Sequence, residues 1–569
     1  MTDPQGAPRA LSRSHPAPLS KSAVLPAVLS AALITLCALP VAAGLWGTIS
    51  LALSHPSGPL QAAAEVWRWP GLPRACALSL GPGLVATAAA LGLTMALLAL
   101  VSGTPAFTML RRLLSPLLSV PHAAAALGLA FLISPSGWIA RALSPWATGW
   151  EVPPDLLIVN DPLGLSLTLG LVAKELPFLL LMSMAAWPQL DAPRRLTAMA
   201  SLGHGRAIGF AIAVLPPLYA RLRLPVFAVL AYAMTSVEMG RILGPSLPAP
   251  LSVQVTDWLM DPALSARPLG AAGALAQLAL VIGALALWWA LEGAVGAALR
   301  AYAAAGHRAR TIDTPLTFLT LGLTGVILGM TFAGLASLGL WSVAGLWPFP
   351  LALPESYSWK IWDGAAQDLF HTARLTAGLG LSVALVATAL ALILIRSAQT
   401  NALIYLPLIL PQVAFLPGLT HGFLTLGLAD TPLAVALMHL IFVLPYAVLS
   451  LGPPSRALDP RYALAAAALG ASPRRIFLSI RLPLLLGPLL TTLAVGFAVS
   501  VAQYLPTLLA GGGRIETLTT EAVALASGGN RRLAGAYGFL QLLLPALAFG
   551  LAIALPKLIF RNRAAMGGP

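Results

Sequence analysis

The stretch Leu196–Arg206 reads L-T-A-M-A-S-L-G-H-G-R, and Tyr462–Arg475 reads Y-A-L-A-A-A-A-L-G-A-S-P-R-R. Gly203 and Gly470 are 267 residues apart (470 − 203). The prolines that follow, Pro216 and Pro483, are also 267 apart (483 − 216). Each stretch is a polar, basic interruption in a largely apolar chain. A plain surface loop would join two spans without repeating a glycine-to-proline spacing. A loop that occurs twice in this way reads as a paired docking site for a partner with two equivalent faces.

Composition sets the compartment. The 569 residues are 58% hydrophobic and 9% charged, and mean hydropathy is +0.85. Soluble domains carry roughly 25% charged residues. Apolar runs of about 20 residues, long enough to cross a ~30 Å hydrocarbon core, recur along the chain. The expected fold class is therefore an all-α membrane protein. Barrel strands would alternate apolar and polar residues, and these runs do not. Cys37 and Cys76 lie in or beside apolar runs and form no metal-ligand or disulfide pattern.

Twelve spans are predicted, six in each half. The first six are 23–53, 76–101, 113–133, 163–187, 222–243 and 270–291. The second six are 316–341, 373–395, 402–424, 432–451, 485–509 and 534–556. Basic residues favour the cytoplasmic side. Arg9, Arg13, Lys21, Arg111, Arg112, the two repeated loops, Arg300, Arg308, Arg310, Arg396, Lys557, Arg561 and Arg563 fall on one side. Most acids, including Glu65, Glu151, Asp257, Asp363 and Glu521, fall on the other. Both termini and both loops are thus expected inside. The net charge of +14 is scattered over short loops. It reads as a topology signal and not as a nucleic-acid footprint.

The organisation expected is a polar cytoplasmic N-terminus over 1–22, a first repeat over 23–291, and a basic cytoplasmic linker over 292–315. A second repeat over 316–556 and a cytoplasmic tail over 557–569 follow. Pro121-His122 parallels Pro411-Gln412, Pro177 parallels Pro445, and Gln277 parallels Gln541. Six spans separate equivalent loops, so the halves run parallel, related by an axis along the membrane normal.

The second loop shows the local physics most clearly. Asp459 suits a helix N-cap, and Pro460 suits the first turn, where its missing N–H costs nothing. The Ala-rich run to Leu469 favours helix. Gly470 then sits where a left-handed C-terminal cap is expected. Ser472-Pro473 restarts a helix. The result is helix, glycine corner, helix.

At these residues the chain resembles the permease subunits of ABC importers. Their loop signature is E-A-A, three residues, G, then an apolar stretch to a proline. Gly203 and Gly470 match the glycine, Pro216 and Pro483 the proline, and Ala198, Ala465 and Ala466 the alanines. Thr197 and Leu464 replace the leading acid, and Met199 replaces one alanine. Ser236-Val-Glu-Met-Gly240 is similar to the S-x-x-E-F-G segment of thiamine, iron(III), sulfate and polyamine permeases, with Gln503 at the acid's place in the second half. The resemblance implies a fused two-in-one permease of that branch in a bacterial inner membrane. It implies two cytoplasmic ATPase subunits docked on the loops, through Ala198, Leu202, Gly203, Arg206 and Pro216 and through Ala465, Ala466, Leu469, Gly470, Arg474 and Pro483. An external solute-binding protein is the third partner. The resemblance leaves the substrate open.

Ionisable residues inside spans are costly and are functional candidates by default. Glu238 and Arg241 lie three apart on one helix face, within reach of a local salt bridge. With Gln503 they are candidates for the translocation path or gate, against a purely structural role. Lys174 and Glu175 need partners elsewhere, His122 and His439 read as satisfied bundle residues, and Gln277 and Gln541 as cross-helix hydrogen bonders. Arg206, Arg474 and Arg475 suit either anionic lipid or the ATPase. No G-x-x-x-x-G-K-[ST] or H-E-x-x-H pattern is present, so no cofactor, metal or enzymatic activity is expected. Two other classes stay open. A secondary transporter of 6+6 type would need coupling carboxylates, of which Glu175 and Glu238 are available. A lipid-modifying enzyme would need a polar catalytic cluster at one membrane face.

Overall fold

The computed structural model of the chain describes residues 21–306, 311–396 and 402–561. The expected N-terminal segment up to residue 20, the orientation signals Arg9, Arg13, Arg308, Arg310 and Arg563, and the tail from 562 lie outside the described residues.

Among the described residues there is no strand beyond an isolated bridge between Ala344 and Tyr357. This follows from the solvent: in hydrocarbon, backbone N–H and C=O groups must pair within their own segment, and helices do so. The first half contains α1 (Lys21–Leu53), α2 (Leu72–Ala96), α3 (His122–Ile133), α4 (Leu165–Ala186), α5 (Ala192–Ser201), α6 (Arg206–Ala213), α7 (Leu215–Thr235), α8 (Val237–Leu243), α9 (Leu251–Met260) and α10 (Ala266–Ala304). The second half repeats the order as α11 (Asp313–Val343), α12 (Ala366–Arg396), α13 (Gln412–Thr425), α14 (Pro432–Ala457), α15 (Pro460–Ala468), α16 (Pro473–Ile476), α17 (Leu486–Val501), α18 (Leu505–Gly511), α19 (Leu518–Ala526) and α20 (Arg531–Ile559). Shorter helices lie between them, among them Pro105–Leu117 and Trp138–Leu143.

Among the described residues ten helices are long and apolar enough to cross a membrane, and counting each of two bent pairs as one span gives 12. The expected span count is met only with breaks. The run 113–133 is cut between Leu117 and His122, and 403–409 meets α13 at 105°. Pro121 and Pro411 stand as extended N-caps at these two breaks. A proline cannot donate to the preceding turn and clashes with it, so the earlier helix ends. The run 222–243 is cut at Ser236, which is extended (ψ 104°), without any proline or glycine there. The run 485–509 bends by 70° at its start and breaks again between Val501 and Leu505. The linker 292–315 is also less loop-like than its composition suggests. Helix α10 continues to Ala304 and α11 starts at Asp313.

Particular hydrogen bonds recur between the halves. Asn160 and Asp430, both at left-handed φ (61° and 60°), donate their backbone N–H groups to Leu243 O (3.1 Å) and Ala510 O (2.9 Å). Leu251 N donates to Ser79 Oγ and Leu518 N to Thr376 Oγ1, each at 2.9 Å. Gln277 and Gln541 are fully buried and donate to Met234 O and Thr519 Oγ1, so both bond across helices as their sequence positions predict.

The first helix of each half packs on the third helix of the other: α1 on α13 and α11 on α3. Glycines allow the approach. A Cβ on Gly128 would stand 2.7 Å from the Gly334 carbonyl carbon. Thr48 Oγ1 accepts from Gly418 N at 3.0 Å. Close backbone contact through small residues is how helices gain dispersion energy where lipid removes the hydrophobic drive. These crossings bind the halves into one bundle.

Candidate functional site

Both loops fold as the sequence predicts at the corner itself. Gly203 has φ +91° and Gly470 φ +80°, the left-handed region that a Cβ disfavours. In the first, Leu202 N donates to Ala198 O (3.2 Å), Gly203 N to Ala200 O (3.0 Å) and His204 N to Met199 O (3.1 Å). In the second, Leu469 N donates to Ala465 O (3.1 Å), Gly470 N to Ala467 O (2.9 Å) and Ala471 N to Ala466 O (3.0 Å). Every donor and acceptor is shifted by the same 267 positions (469 − 202, 465 − 198). The pattern satisfies the orphan carbonyls of the last helical turn. In the second loop the side chains of Asp459 and Ser472 accept from Arg461 N (2.9 Å) and Arg475 N (3.3 Å), as expected of N-caps. Pro216 sits in the first turn of α7, and Pro483 in the short helix Leu482–Leu484 just before α17.

The leucine before each corner points out. Leu202 is 59% exposed and Leu469 89%. Helix α15 buries none of its residues, and Ala465 and Arg474 are exposed. Each corner thus holds one large apolar side chain out at a helix end.

Arg206, exposed beside the corner, also bonds into the fold. Its Nε donates to Ala99 O (2.7 Å) and its Nη2 to the Ser102 backbone carbonyl and hydroxyl. These groups lie at the end of the second span, where a π turn over Leu97–Val101 closes α2. Asp313 holds the same loop from the other half. Its carboxylate accepts from Arg206 N (2.5 Å) and Ala207 N (3.0 Å). Arg195 adds bonds to Leu190 O (2.9 Å) and Ala213 O (3.2 Å). The two loops share a corner and differ in how they are tied down.

Met199, which replaces an alanine of the loop pattern, has a local reason. A Cβ on Gly209 would stand 2.9 Å from Met199 Cβ, so α5 and α6 cross by placing a large residue against none. At the matching positions the second loop has Ala466 and Ile476, the reverse order of sizes.

Inside the bundle, Glu238 and Arg241 do not pair with each other. Glu238, 8% exposed, accepts from Tyr232 Oη at 2.6 Å. Arg241 turns to Asp257 on α9. The break at Ser236 puts Glu238 at the start of a new helix, back within reach of the tyrosine six residues earlier. Tyr504, next to Gln503, interacts electrostatically with Glu238, Arg241 and Asp257, so this cluster faces the second half. Gln503 itself is 9% exposed, and its backbone carbonyl accepts from Thr507 Oγ1 at 2.7 Å. Lys174 is satisfied by the carbonyls of Leu117 (3.2 Å) and Val120 (2.6 Å), freed by the break before His122. The buried Glu175 interacts electrostatically with Tyr232 and with Tyr446 of the second half. His439 bridges Ser500 (2.8 Å) and Thr507 (2.9 Å) across the α17–α18 break, and the His122 ring packs against Tyr232, tilted by 49° at 4.6 Å between centroids. Both histidines are thus packed within the bundle. Among the described residues no group of His, Cys, Asp and Glu could hold a metal ion.

Tyr232, Asp257, Asp313 and Tyr504 carry this arrangement and are not prominent in the sequence. Their partners are set by tertiary contacts, and only the uncommonness of an Asp at a helix start beside a basic linker marks Asp313 at all.

Residues 395–562 match the family described as binding-protein-dependent transport system inner membrane component. Over 494 residues the chain is 30% identical to the inner membrane ABC transporter permease protein YnjC of Escherichia coli, covering 86% of this chain and 89% of that one. It is 34% identical over 142 residues to the molybdenum transport system permease protein ModB of Mycobacterium tuberculosis, covering 22% of this chain and 54% of ModB. It is 33% identical over 125 residues to a spermidine/putrescine transport system permease protein PotC homolog of Mycoplasma genitalium, covering 22% and 43%.

Proposed function

The chain belongs to the ABC transporter permeases of binding-protein-dependent transport systems, and we propose that it forms the membrane part of an importer, two half-permeases fused in one polypeptide. Two cytoplasmic ATPase subunits dock on the corners around Gly203 and Gly470. Contact runs through Ala198 and Leu202 in one loop, and through Ala465, Ala466, Leu469 and Arg474 in the other. Pro216 and Pro483 fix where each loop re-enters the membrane. An external solute-binding protein delivers substrate to the opposite face, and both termini lie in the cytoplasm of a bacterial inner-membrane protein. ATP-driven closure of the ATPases moves the corners, and the two bundles rock to give alternating access. Glu238, Arg241 and Gln503 line the path or its gate.

The observation that carries this reading is the duplicated corner, with the same three hydrogen bonds and an exposed leucine at each copy. The relatives named for molybdenum and for spermidine/putrescine differ in substrate, so the reading commits to none. The test is Gly470→Val and Gly203→Val. A left-handed valine costs roughly 1–2 kcal/mol or more, and the corner should open. ATPase co-purified with the tagged chain should fall for each single variant and vanish for the double. Full retention by the double variant contradicts the docking assignment.

A further inference from the structure

At the end of the bundle away from the glycine corners lies a cavity of about 590 Å³, whose lining includes Ser136, Arg141, Trp341, Asn530, Arg531 and Arg532. Its position follows from α11. Asp313 at the start of that helix touches the first corner. Trp341 is 28 residues further along (341 − 313), ~42 Å at the usual helical rise. The wall combines the halves: Ser136 and Arg141 come from the α3–α4 connection, Trp341 from the end of α11, and the arginine pair from the start of α20.

The charge in this wall is uncompensated. Among the described residues, none of the three arginines forms an ion pair. Their hydrogen bonds go to backbone carbonyls alone. Arg141 donates to Ser136 O (3.0 Å), Pro348 O (2.9 Å) and Leu351 O (3.4 Å). Arg531 donates to Ser136 O (3.3 Å), and Arg532 to Gly345 O. Three guanidinium groups carry roughly fifteen N–H donors, and these five bonds leave most of them unused. Arg141 and Arg531 even converge on one acceptor, the Ser136 carbonyl. Both also lie over the Trp341 ring, with Cζ 5.6 and 5.5 Å from its centroid. Trp347 and Phe349 flank Arg141 at 4.8 and 5.6 Å. The Trp341 Nε1–H, buried in the same wall, has no acceptor.

Cation–π contacts and carbonyls fix these guanidiniums in place, but they do not cancel like charges gathered round one cavity. What the wall lacks is an anion with several acceptor oxygens. Planar guanidinium forks match tetrahedral oxyanions in paired hydrogen bonds. Arg141 is only 5% exposed, so a compact anion entering the cavity reaches it better than a protein surface laid across the mouth.

We propose that this cavity binds a phosphate-class oxyanion, held between the two halves by Arg141, Arg531 and Arg532. The group is either a free ion from solution or the phosphodiester of a lipid headgroup. Bound there, it would join the α3–α4 connection to α20 and so lock the halves together at this end.

The test uses the full chain in dodecyl maltoside, a phosphate-free detergent, titrated with inorganic phosphate by calorimetry, and in nanodiscs mixing phosphatidylcholine with phosphatidylglycerol, with retained lipid measured by mass spectrometry. Each is repeated with Arg531→Gln/Arg532→Gln. Saturable phosphate binding in detergent, weakened at least tenfold by the double variant, supports the free ion as ligand. Phosphatidylglycerol enrichment that the variant loses, without phosphate binding, supports the headgroup. Binding of neither, or binding that the variant leaves unchanged, overturns the proposal, as does capture of an acidic protein partner alone. Should the double variant fail to fold, Arg532→Gln alone serves, since it gives up only the bond to Gly345. No ATPase and no transport enter the measurement, so its failure leaves the permease reading standing.

Discussion

Asp313 caps Arg206: the carboxylate at the start of α11 accepts from the Arg206 N–H at 2.5 Å, and from that of Ala207 at 3.0 Å. The first residue of the second half's first helix therefore ends the first half's corner. A carboxylate at a helix N-terminus satisfies orphan donors and meets the positive end of the helix dipole. Motion of the first corner must pull on α11, which reaches the far end of the bundle beside Trp341. The second corner is held by its own caps, Asp459 and Ser472.

Asp313→Ala should loosen the first corner alone. Loss of an N-cap costs roughly 1 kcal/mol, so amides of 206–210 should exchange hydrogen about fivefold faster. Those of 472–476 should not change. Hydrogen exchange read by mass spectrometry checks this, and equal protection in the variant would show that Asp313 contributes nothing to the corner.

Gly209→Val should destabilise the α5–α6 crossing, since even a Cβ would stand 2.9 Å from Met199 Cβ. Overpacking of this kind costs roughly 1–3 kcal/mol. Adding Met199→Ala should recover much of the loss, because the pair would then resemble Ala466 and Ile476 in order of size. Thermal unfolding of the two variants decides it. A double variant no more stable than Gly209→Val would mean that the crossing does not depend on this exchange.

Glu238→Gln should impair substrate uptake more than Gln503→Ala at matched membrane expression. The hydrogen bond at stake is the one from Tyr232 Oη, since Arg241 keeps Asp257 in either variant. Bonds to charged groups contribute roughly 1.5–3 kcal/mol, above neutral ones. Tyr232→Phe should reproduce part of the Glu238 effect. Equal or reversed uptake losses would remove Glu238 from the path.

Ser472→Cys should resist an impermeant thiol reagent on intact cells, and Ser527→Cys should react. Basic residues cluster with Ser472, at Arg474 and Arg475, which motivates the assignment. Labelling at 472 and protection at 527 would reverse the orientation.

Much of this is legible in the sequence. The corner at Gly470 follows from local chemistry: a capping Asp, a proline in the first turn, alanines, a glycine that alone suits positive φ, and a second cap. Pro121 and Pro411 were visible as matched residues, though not as the sharp breaks they make. The break at Ser236 carries only a weak signal, since T-S-V-E offers an N-cap residue type and a T-x-x-E pattern but no proline or glycine. Its cause is tertiary, and it displaced the expected Glu238–Arg241 pairing in favour of Tyr232 and Asp257. Arg206 reads in the sequence as a basic residue beside an exposed loop, and only folding brings it to the carbonyls of Ala99 and Ser102.

The central claim is that the two corners are the ATPase contacts, and cross-linking from the leucines reads it directly. A photoreactive amino acid is placed at Leu202 or Leu469 in the full chain in cells, and the adduct is identified by mass spectrometry. Both positions should capture the same ATPase subunit, one bearing a G-x-x-x-x-G-K-[ST] phosphate loop, and a probe at exposed Leu351 on the opposite end should not. An intact permease–ATPase complex in which neither leucine cross-links would contradict the account.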